Sequence, residues 1–218
     1  MMNRLPRPPA SKLLEGNLRF QKWFREDRET FARLLAKQQP RAFYIGCSDS
    51  RVVPNFILDA APGEVFVARN VGAIVPPPCD PLGMSIGAAL EFAIESLGVP
   101  ELIVCGHDSC GALAGIAEGQ VSLKSNLGFW LKRGLDSVRD LGELGSIPMR
   151  DLVERFVAAQ HRNLLQFEVV ERAIAEGRIV VHAWVYDPAT GRIRAMAADG
   201  VFHEVIGEDG PAPDLAAE

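Results

Sequence analysis

The sequence predicts an α/β domain with a mostly parallel central sheet, and three observations predict it. Apolar, strand-like runs alternate with helix-like stretches along most of the chain. The chain has 218 residues, 48% of them hydrophobic, enough for one domain with a full core. Two of the strand-like runs, Ala42-Phe-Tyr-Ile-Gly-Cys47 and Glu101-Leu-Ile-Val-Cys-Gly-His107, end in residues able to bind a metal, and Cys110 follows three positions after the second. Ligands in such sheets bind beyond the carboxyl ends of the strands, where strand order reverses.

The elements read in order as follows. Residues 11–37 look helical, with Leu14 and Leu18 four apart and Phe20, Trp23 and Phe24 on one face. Glu26-Asp-Arg-Glu29 interrupts the pattern, Thr30 is placed to cap a short second helix, and Pro40 ends it. Trp23, Phe24 and Phe31 are large apolar groups for an N-terminal arm, and two readings stand: core packing, or an arm laid on a second subunit. A strand over 41–47, a short helix over 54–60 opened by Pro54 and a strand over 64–69 come next. Asp80-Pro81 starts a helix whose stripe of Ile86, Leu90, Ile94 and Leu97 stops at Gly98. Residues 101–106 form a strand, 109–118 a helix, 125–141 a weaker helix containing Gly128 and Gly134, and 149–176 one long helix ending at Gly177. Residues 178–186 make a fourth strand. Asp187-Pro-Ala-Thr-Gly191 then turns into a fifth, 192–198, antiparallel at an edge. This divides the chain into a helical arm (1–40), an α/β domain (41–207) and an acidic tail (208–218).

Bulk properties exclude several functions. The formal charge of −5 comes from interspersed charges, so there is no basic stripe for nucleic acid. No run of about 18 apolar residues could span a bilayer. The first ten residues lack the apolar segment of a signal peptide. Four cysteines in a chain this long are not a disulfide scaffold, and reduced thiols suit a cytoplasmic metal site.

Cys47, His107 and Cys110 offer two thiolates and one imidazole, three protein ligands that leave a fourth position on zinc for water or substrate. His107-Asp-Ser-Cys110 crosses a strand-to-helix junction, where a helix N-terminus is expected to depress the pKa of Cys110. Alone, that pair is equally explained by one packed thiol and one hydrogen-bonded histidine. Cys47-Ser-Asp-Ser-Arg51 adds weight. Alternate residues of an extended loop point the same way, so Arg51 can grip Asp49 in a bidentate fork. A carboxylate beside zinc then has two options: to coordinate the metal, or to accept a hydrogen bond from bound water. Cys105 reads as a packed thiol, His161 as a solvated helix residue, and His182 and His203 as structural histidines.

Cys47-Ser-Asp-Ser-Arg51 followed by Gly106-His-Asp-Ser-Cys-Gly111 resembles the β-class carbonic anhydrases. The likeness continues through Pro62-Gly-Glu-Val-Phe-Val-Ala-Arg-Asn-Val71, Ala89-Leu-Glu-Phe-Ala93 and His182-Ala-Trp-Val-Tyr-Asp187, and the stretch from Gly63 looks closer to the plant-like branch. The resemblance implies zinc (Zn2+) held by Cys47, His107 and Cys110, and reversible hydration of carbon dioxide to bicarbonate by zinc-bound hydroxide. It implies that Asp49 either fills the fourth metal position or hydrogen-bonds the hydroxide, with Arg51 pulling it off the metal. It implies a homodimer or higher even oligomer with N-terminal helices wrapped on the neighbour. Gln38 falls where the family places a substrate amide, and Phe66, Val71 and Phe92 match the apolar wall of the carbon dioxide pocket.

Two positions depart from the family pattern: Phe92 replaces a tyrosine of plant-like members, and Asn55 replaces a glutamate of many bacterial ones. Some bacterial members bind an inhibitory bicarbonate with a tryptophan, an arginine and a tyrosine. Those positions read Tyr44, Arg69 and Tyr186 here, without the tryptophan. Rival readings are a thiol enzyme, a non-catalytic zinc protein, and a lyase acting on carbon disulfide or carbonyl sulfide. A phosphatase loop would need arginine six positions after Cys47, where Val53 stands.

Overall fold

A computed structural model describes residues 10–35, 37–120, 122 and 124–205. The chain forms two compact units, Met1–Gln38 and Gln39–Glu218. The acidic tail lies outside the described residues.

The first unit contains α1 (Ala10–Glu26), α2 (Arg28–Ala32) and a 3-10 turn (Arg33–Leu35). The break falls at Asp27, whose carboxylate accepts from the Thr30 amide at 3.2 Å. Asp27 is therefore the cap of α2 and Thr30 lies inside the helix, contrary to the sequence expectation. Both are good capping types, and the acid that comes first captures the free amide. Phe31 is buried beneath Phe20, Trp23 and Phe24, with ring centroids 5.5, 4.7 and 4.6 Å away. Leu13, Leu14 and Leu18 remain exposed.

The second unit opens with β1 (Ala42–Cys47), α3 (Pro54–Ile57) and β2 (Val65–Asn70). A 3-10 turn (Pro81–Gly83) leads into α4 (Met84–Glu91), which widens into a π-helical turn over Phe92–Leu97. There follow β3 (Glu101–His107), α5 (Gly111–Ala117), α6 (Asn126–Ser137), α7 (Met149–Leu164), α8 (Glu168–Ala175), β4 (Val180–Tyr186), β5 (Ile193–Met196) and β6 (Phe202–Glu204). The six strands lie in the order β2-β1-β3-β4-β5-β6. The first four are mutually parallel, and β5 and β6 are antiparallel additions at one edge.

The fold class is the one the sequence predicts, with two local differences. The helix expected over 149–176 is two, because Phe167 takes an extended conformation (φ −73, ψ 125) before α8. That bend turns the Phe167 ring onto Gly87 of α4, where an added Cβ would lie 3.4 Å from it. Burying an aromatic ring outweighs continuing a helix by two turns. The stripe of Ile86, Leu90 and Ile94 is buried, and Gly98 ends it in the left-handed conformation (φ 66). β6 was not foreseen; it is three residues long, too short to carry an alternating pattern.

The two central parallel strands, β1 and β3, are buried almost throughout, while β2 and β4 are only partly so. One face of the sheet carries the large core of Phe43, Ile45, Leu102, Val104 and the inner faces of α4 to α8. The other carries a small cluster of Ala42, Tyr44, Ile103 and Cys105. Gly106 admits α7 close to β3, since a Cβ there would collide with Val157. This closeness places the end of β3 against a rigid helix.

Candidate metal centre

β1 and β3 are adjacent in the sheet, with Gly46 beside Cys105. Cys47 and His107, at the carboxyl ends of these strands, therefore emerge side by side. Cys110 opens α5 after a two-residue connection. The Cys47 and Cys110 sulfurs and a His107 ring nitrogen all lie within 4.8 Å of one another, and all three residues are buried. Cys105 is packed on the opposite side of the sheet with Tyr44.

Histidine geometry tests whether this group suits a metal. The Nδ1 of His107 is 2.9 Å from the carbonyl oxygen of Asp108. A carbonyl only accepts, so Nδ1 carries the proton and Nε2 of the neutral ring keeps its lone pair. Nε2 is buried without a hydrogen-bond partner. A buried lone pair beside two sulfurs is the donor set of a zinc site, two thiolates and one imidazole.

The thiols respond to each other. The Cys110 thiol donates to Cys47 and holds its pKa down, with His107 and the amides of Asp49 and Gly72 adding to the effect against the opposing cost of burial. Cys110 is pushed up, first by Cys47 and then by burial. The amides of Ala112 and Leu113 at the start of α5 do lower it. Without a metal the two thiols share a proton, and the start of α5 lowers Cys110 against that sharing. Burial lowers the pKa of His107, but the Cys47 thiolate more than offsets it and the net direction is upward. Two thiols and an imidazole sharing protons in this way favour a divalent cation that replaces those protons.

Asp49 stands beside the group rather than within it, its Oδ2 3.8 Å from His107 Nε2. Arg51 grips it with a fork, Nε donating to Oδ1 at 2.9 Å and a terminal nitrogen to Oδ2 at 2.7 Å. The Arg51 amide donates to Oδ1 as well, at 3.0 Å. These bonds hold the Asp49 carboxyl well below the usual carboxylate range. Arg51 also donates to the carbonyl of Ser109 at 3.1 Å, so one guanidinium ties the loop after β1 to the loop after β3.

Arg69, on edge strand β2, donates to the carbonyls of Cys47 (2.8 Å) and Asp49 (2.7 Å) and braces the first loop. Tyr44 is fully buried and Tyr186 half-buried, both in or against the small cluster. Phe66 lies between Phe43 and Phe92, with centroids 5.1 and 5.8 Å away. Phe92 and Val71 are exposed, and Val71 is fixed through its carbonyl by the Trp130 indole at 2.8 Å. Gln38 is exposed and is the last residue of the first unit, whereas the metal group is built wholly from the second. Asn55 donates to the carbonyls of Ala60 and Ala61 and so closes the turn after α3.

Sequence reading missed three contributors here. Arg69 was noted only for its place in a family pattern. Arg194, buried in β5, forms a fork with Asp108 and also bonds Glu154. Ser109 has a left-handed backbone (φ 55). The one available signal was an arginine inside a short strand that turns inward, where charge demands a partner.

Residues 42–193 match the family model described as carbonic anhydrase. The carbonic anhydrase of Pseudomonas aeruginosa is 38% identical over 201 residues, covering 89% of this chain and 90% of that protein. The solved structure of the β-carbonic anhydrase CcaA superposes with a TM-score of 0.81 at 31% identity, covering 91% of this chain and 100% of that one. One of two tetrameric β-carbonic anhydrases from Sordaria macrospora gives a TM-score of 0.76 at 30% identity, covering 87% and 96%. With matches of this extent lying across the strands that carry Cys47, His107 and Cys110, the chain belongs to the β-class carbonic anhydrases.

Proposed function

We propose that this protein catalyses the reversible hydration of carbon dioxide to bicarbonate and a proton, with zinc held by Cys47, His107 and Cys110. The observation that carries the reading is the meeting of two sulfurs and one unpartnered imidazole nitrogen at adjacent strand ends, beside an arginine-forked carboxylate. Zinc, when bound, lowers the pKa of water from about 15.7 toward about 7 and so supplies the nucleophile at mild pH.

The remaining chemistry belongs to side chains. Asp49, kept ionised by Arg51, accepts a proton in a hydrogen bond from water at the site and orients its lone pair toward the substrate. Arg51 keeps Asp49 directed away from the three donors. Phe66, Val71 and Phe92 offer an apolar wall suited to a small, apolar substrate.

The protein is assigned a homodimeric or higher even assembly. Leu13, Leu14 and Leu18 of α1 are 80%, 68% and 62% exposed, an apolar face that a second copy would cover. An open groove of about 960 Å³ beside α4 and α8, where Met84, Ala88, Phe92 and Phe167 lie among Glu91, Glu95, Glu168 and Arg172, is a second surface open to a partner. The Sordaria relatives are described as tetrameric. Among the described residues no helix is long and apolar enough to cross a membrane. All four cysteines are free thiols, which suits a cytoplasmic setting.

Metal analysis with stopped-flow carbon dioxide hydration tests the function. One zinc per chain, activity lost on chelation and restored by zinc, and a rate that climbs through mildly alkaline pH are expected. Full activity after zinc removal, or a flat profile from about pH 6 to 9 where metal-bound water should ionise, would overturn the reading.

A further inference from the structure

We infer that Arg194 is a positioning residue for His107, acting through Asp108. The inference rests on reading Cys47, His107 and Cys110 as the zinc ligands, and it extends that reading to a residue on a different strand.

Arg194 sits in β5 opposite Val185 of β4. Its side chain is 6% exposed. Two of its nitrogens form a fork on Asp108, at 2.8 Å to Oδ2 and 3.0 Å to Oδ1. Its Nε donates to Glu154 of α7 at 2.6 Å. A desolvated guanidinium satisfied by two carboxylates is a rigid object, because no water competes for its donors.

Asp108 is consequently fixed on every side. Its amide donates to the Tyr186 carbonyl at 2.9 Å, its carboxylate is held by Arg194, and its carbonyl accepts from His107 Nδ1 at 2.9 Å. The peptide joining Asp108 to Ser109 is the one under strain, since Ser109 takes φ 55, which costs a non-glycine residue energy. Rotation of that peptide would relieve Ser109. The same rotation would swing the Asp108 carbonyl away from Nδ1, freeing the imidazole to turn or to move its proton to Nε2. Nothing in His107 itself prevents this. The fork on Asp108 and the Arg51 bond to the Ser109 carbonyl fix the residues on either side of that peptide, and so fix the place from which the Asp108 carbonyl meets Nδ1. Arg194 thereby positions the acceptor of His107 Nδ1, and with it the angle at which the ring faces the two sulfurs, although it touches neither the metal position nor the substrate pocket.

A purely structural role for the buried network is the alternative, and Glu154 separates the two. Arg194→Met breaks the link to His107, whereas Glu154→Ala breaks the network on the side away from it. Zinc affinity is read by competition with a chromogenic chelator on the full-length protein, and ligand geometry by the absorption bands of the cobalt-substituted form. Expected are a loss of about 10- to 100-fold in zinc affinity and shifted cobalt bands for Arg194→Met, with Glu154→Ala within about twofold of wild type. Asp108→Asn, which keeps the shape but weakens the fork, is expected to fall between them and carries the test if Arg194→Met does not fold. Wild-type affinity and bands in Arg194→Met or, should it not fold, in Asp108→Asn would overturn the inference. So would a loss in Glu154→Ala equal to that in Arg194→Met. Failure of the wild-type protein to bind zinc would instead sink the zinc reading itself.

Discussion

Two arginine–carboxylate forks flank the loop from His107 to Cys110, and they differ in depth rather than in design. At the front, Arg51 holds Asp49 with side chains 50% and 19% exposed. At the back, Arg194 holds Asp108 with side chains 6% and 21% exposed. Front and back forks have nearly the same bond lengths, 2.7 to 2.9 Å and 2.8 to 3.0 Å. The two carboxylates are about equally exposed and the guanidinium is what differs, so water competes for Arg51 but scarcely for Arg194. A carboxylate that must engage a water molecule needs a partner it can partly leave, whereas a carboxylate that fixes a backbone carbonyl needs one it cannot. Solvent access, more than geometry, separates the working pair from the scaffolding pair.

Removing the front carboxylate should do the most damage to turnover and the least to the fold. Asp49→Ala is expected to keep its zinc while losing about 10²- to 10⁴-fold in hydration rate, the range for a positioned proton acceptor. Stopped-flow rates beside metal analysis check this, and wild-type turnover in the variant would remove Asp49 from the mechanism. Breaking the back fork should show the reverse pattern. Arg194→Met leaves Asp108 without its cation and Glu154 with only Arg150, 3.9 Å away, and is expected to cost about 3–5 kcal/mol of stability. Urea unfolding of the metal-free protein measures it without the added stabilisation of bound zinc. Equal destabilisation by Arg51→Gln would erase the distinction between the forks.

How much of this was legible in the sequence follows the same division. Cys47, Asp49, Arg51, His107 and Cys110 lie within two short segments at strand ends, so local spacing reveals them. The central strands β1 and β3 were legible because buried parallel strands read as continuous apolar runs. Arg194 lies 86 residues from Asp108, and only tertiary packing joins them. The same holds for Arg69, which braces Cys47 from 22 residues away across a strand pair. The bend at Phe167 was hidden because both flanking segments have helical periodicity, and the deciding contact, Gly87, belongs to another helix. The proton shared by the two thiols was hidden for a related reason. A helix N-terminus can be read from the chain, but a second thiolate arriving from β1 cannot.

The gentlest test concerns protonation of the front fork. Arg51 depresses the pKa of Asp49 in the folded protein. A depressed carboxyl contributes stability above its unfolded pKa, about 3.9 for aspartate, and that contribution is lost as the pH falls through the folded value. Wild type should therefore exceed Arg51→Gln in urea midpoint at neutral pH, and by only a small amount because the pair is partly exposed and screened. The gap should narrow as the pH drops below about 4, where the unfolded chain begins to take up the proton. Carbon-13 detection of the Asp49 carboxyl gives the site-specific readout: ionised in folded wild type at every pH it survives, and titrating nearer the ordinary value in Arg51→Gln. If Asp49 titrates normally in wild type, water has already displaced Arg51 in solution. The front fork would then be no fork, and the contrast with Arg194 would rest on burial of one pair alone.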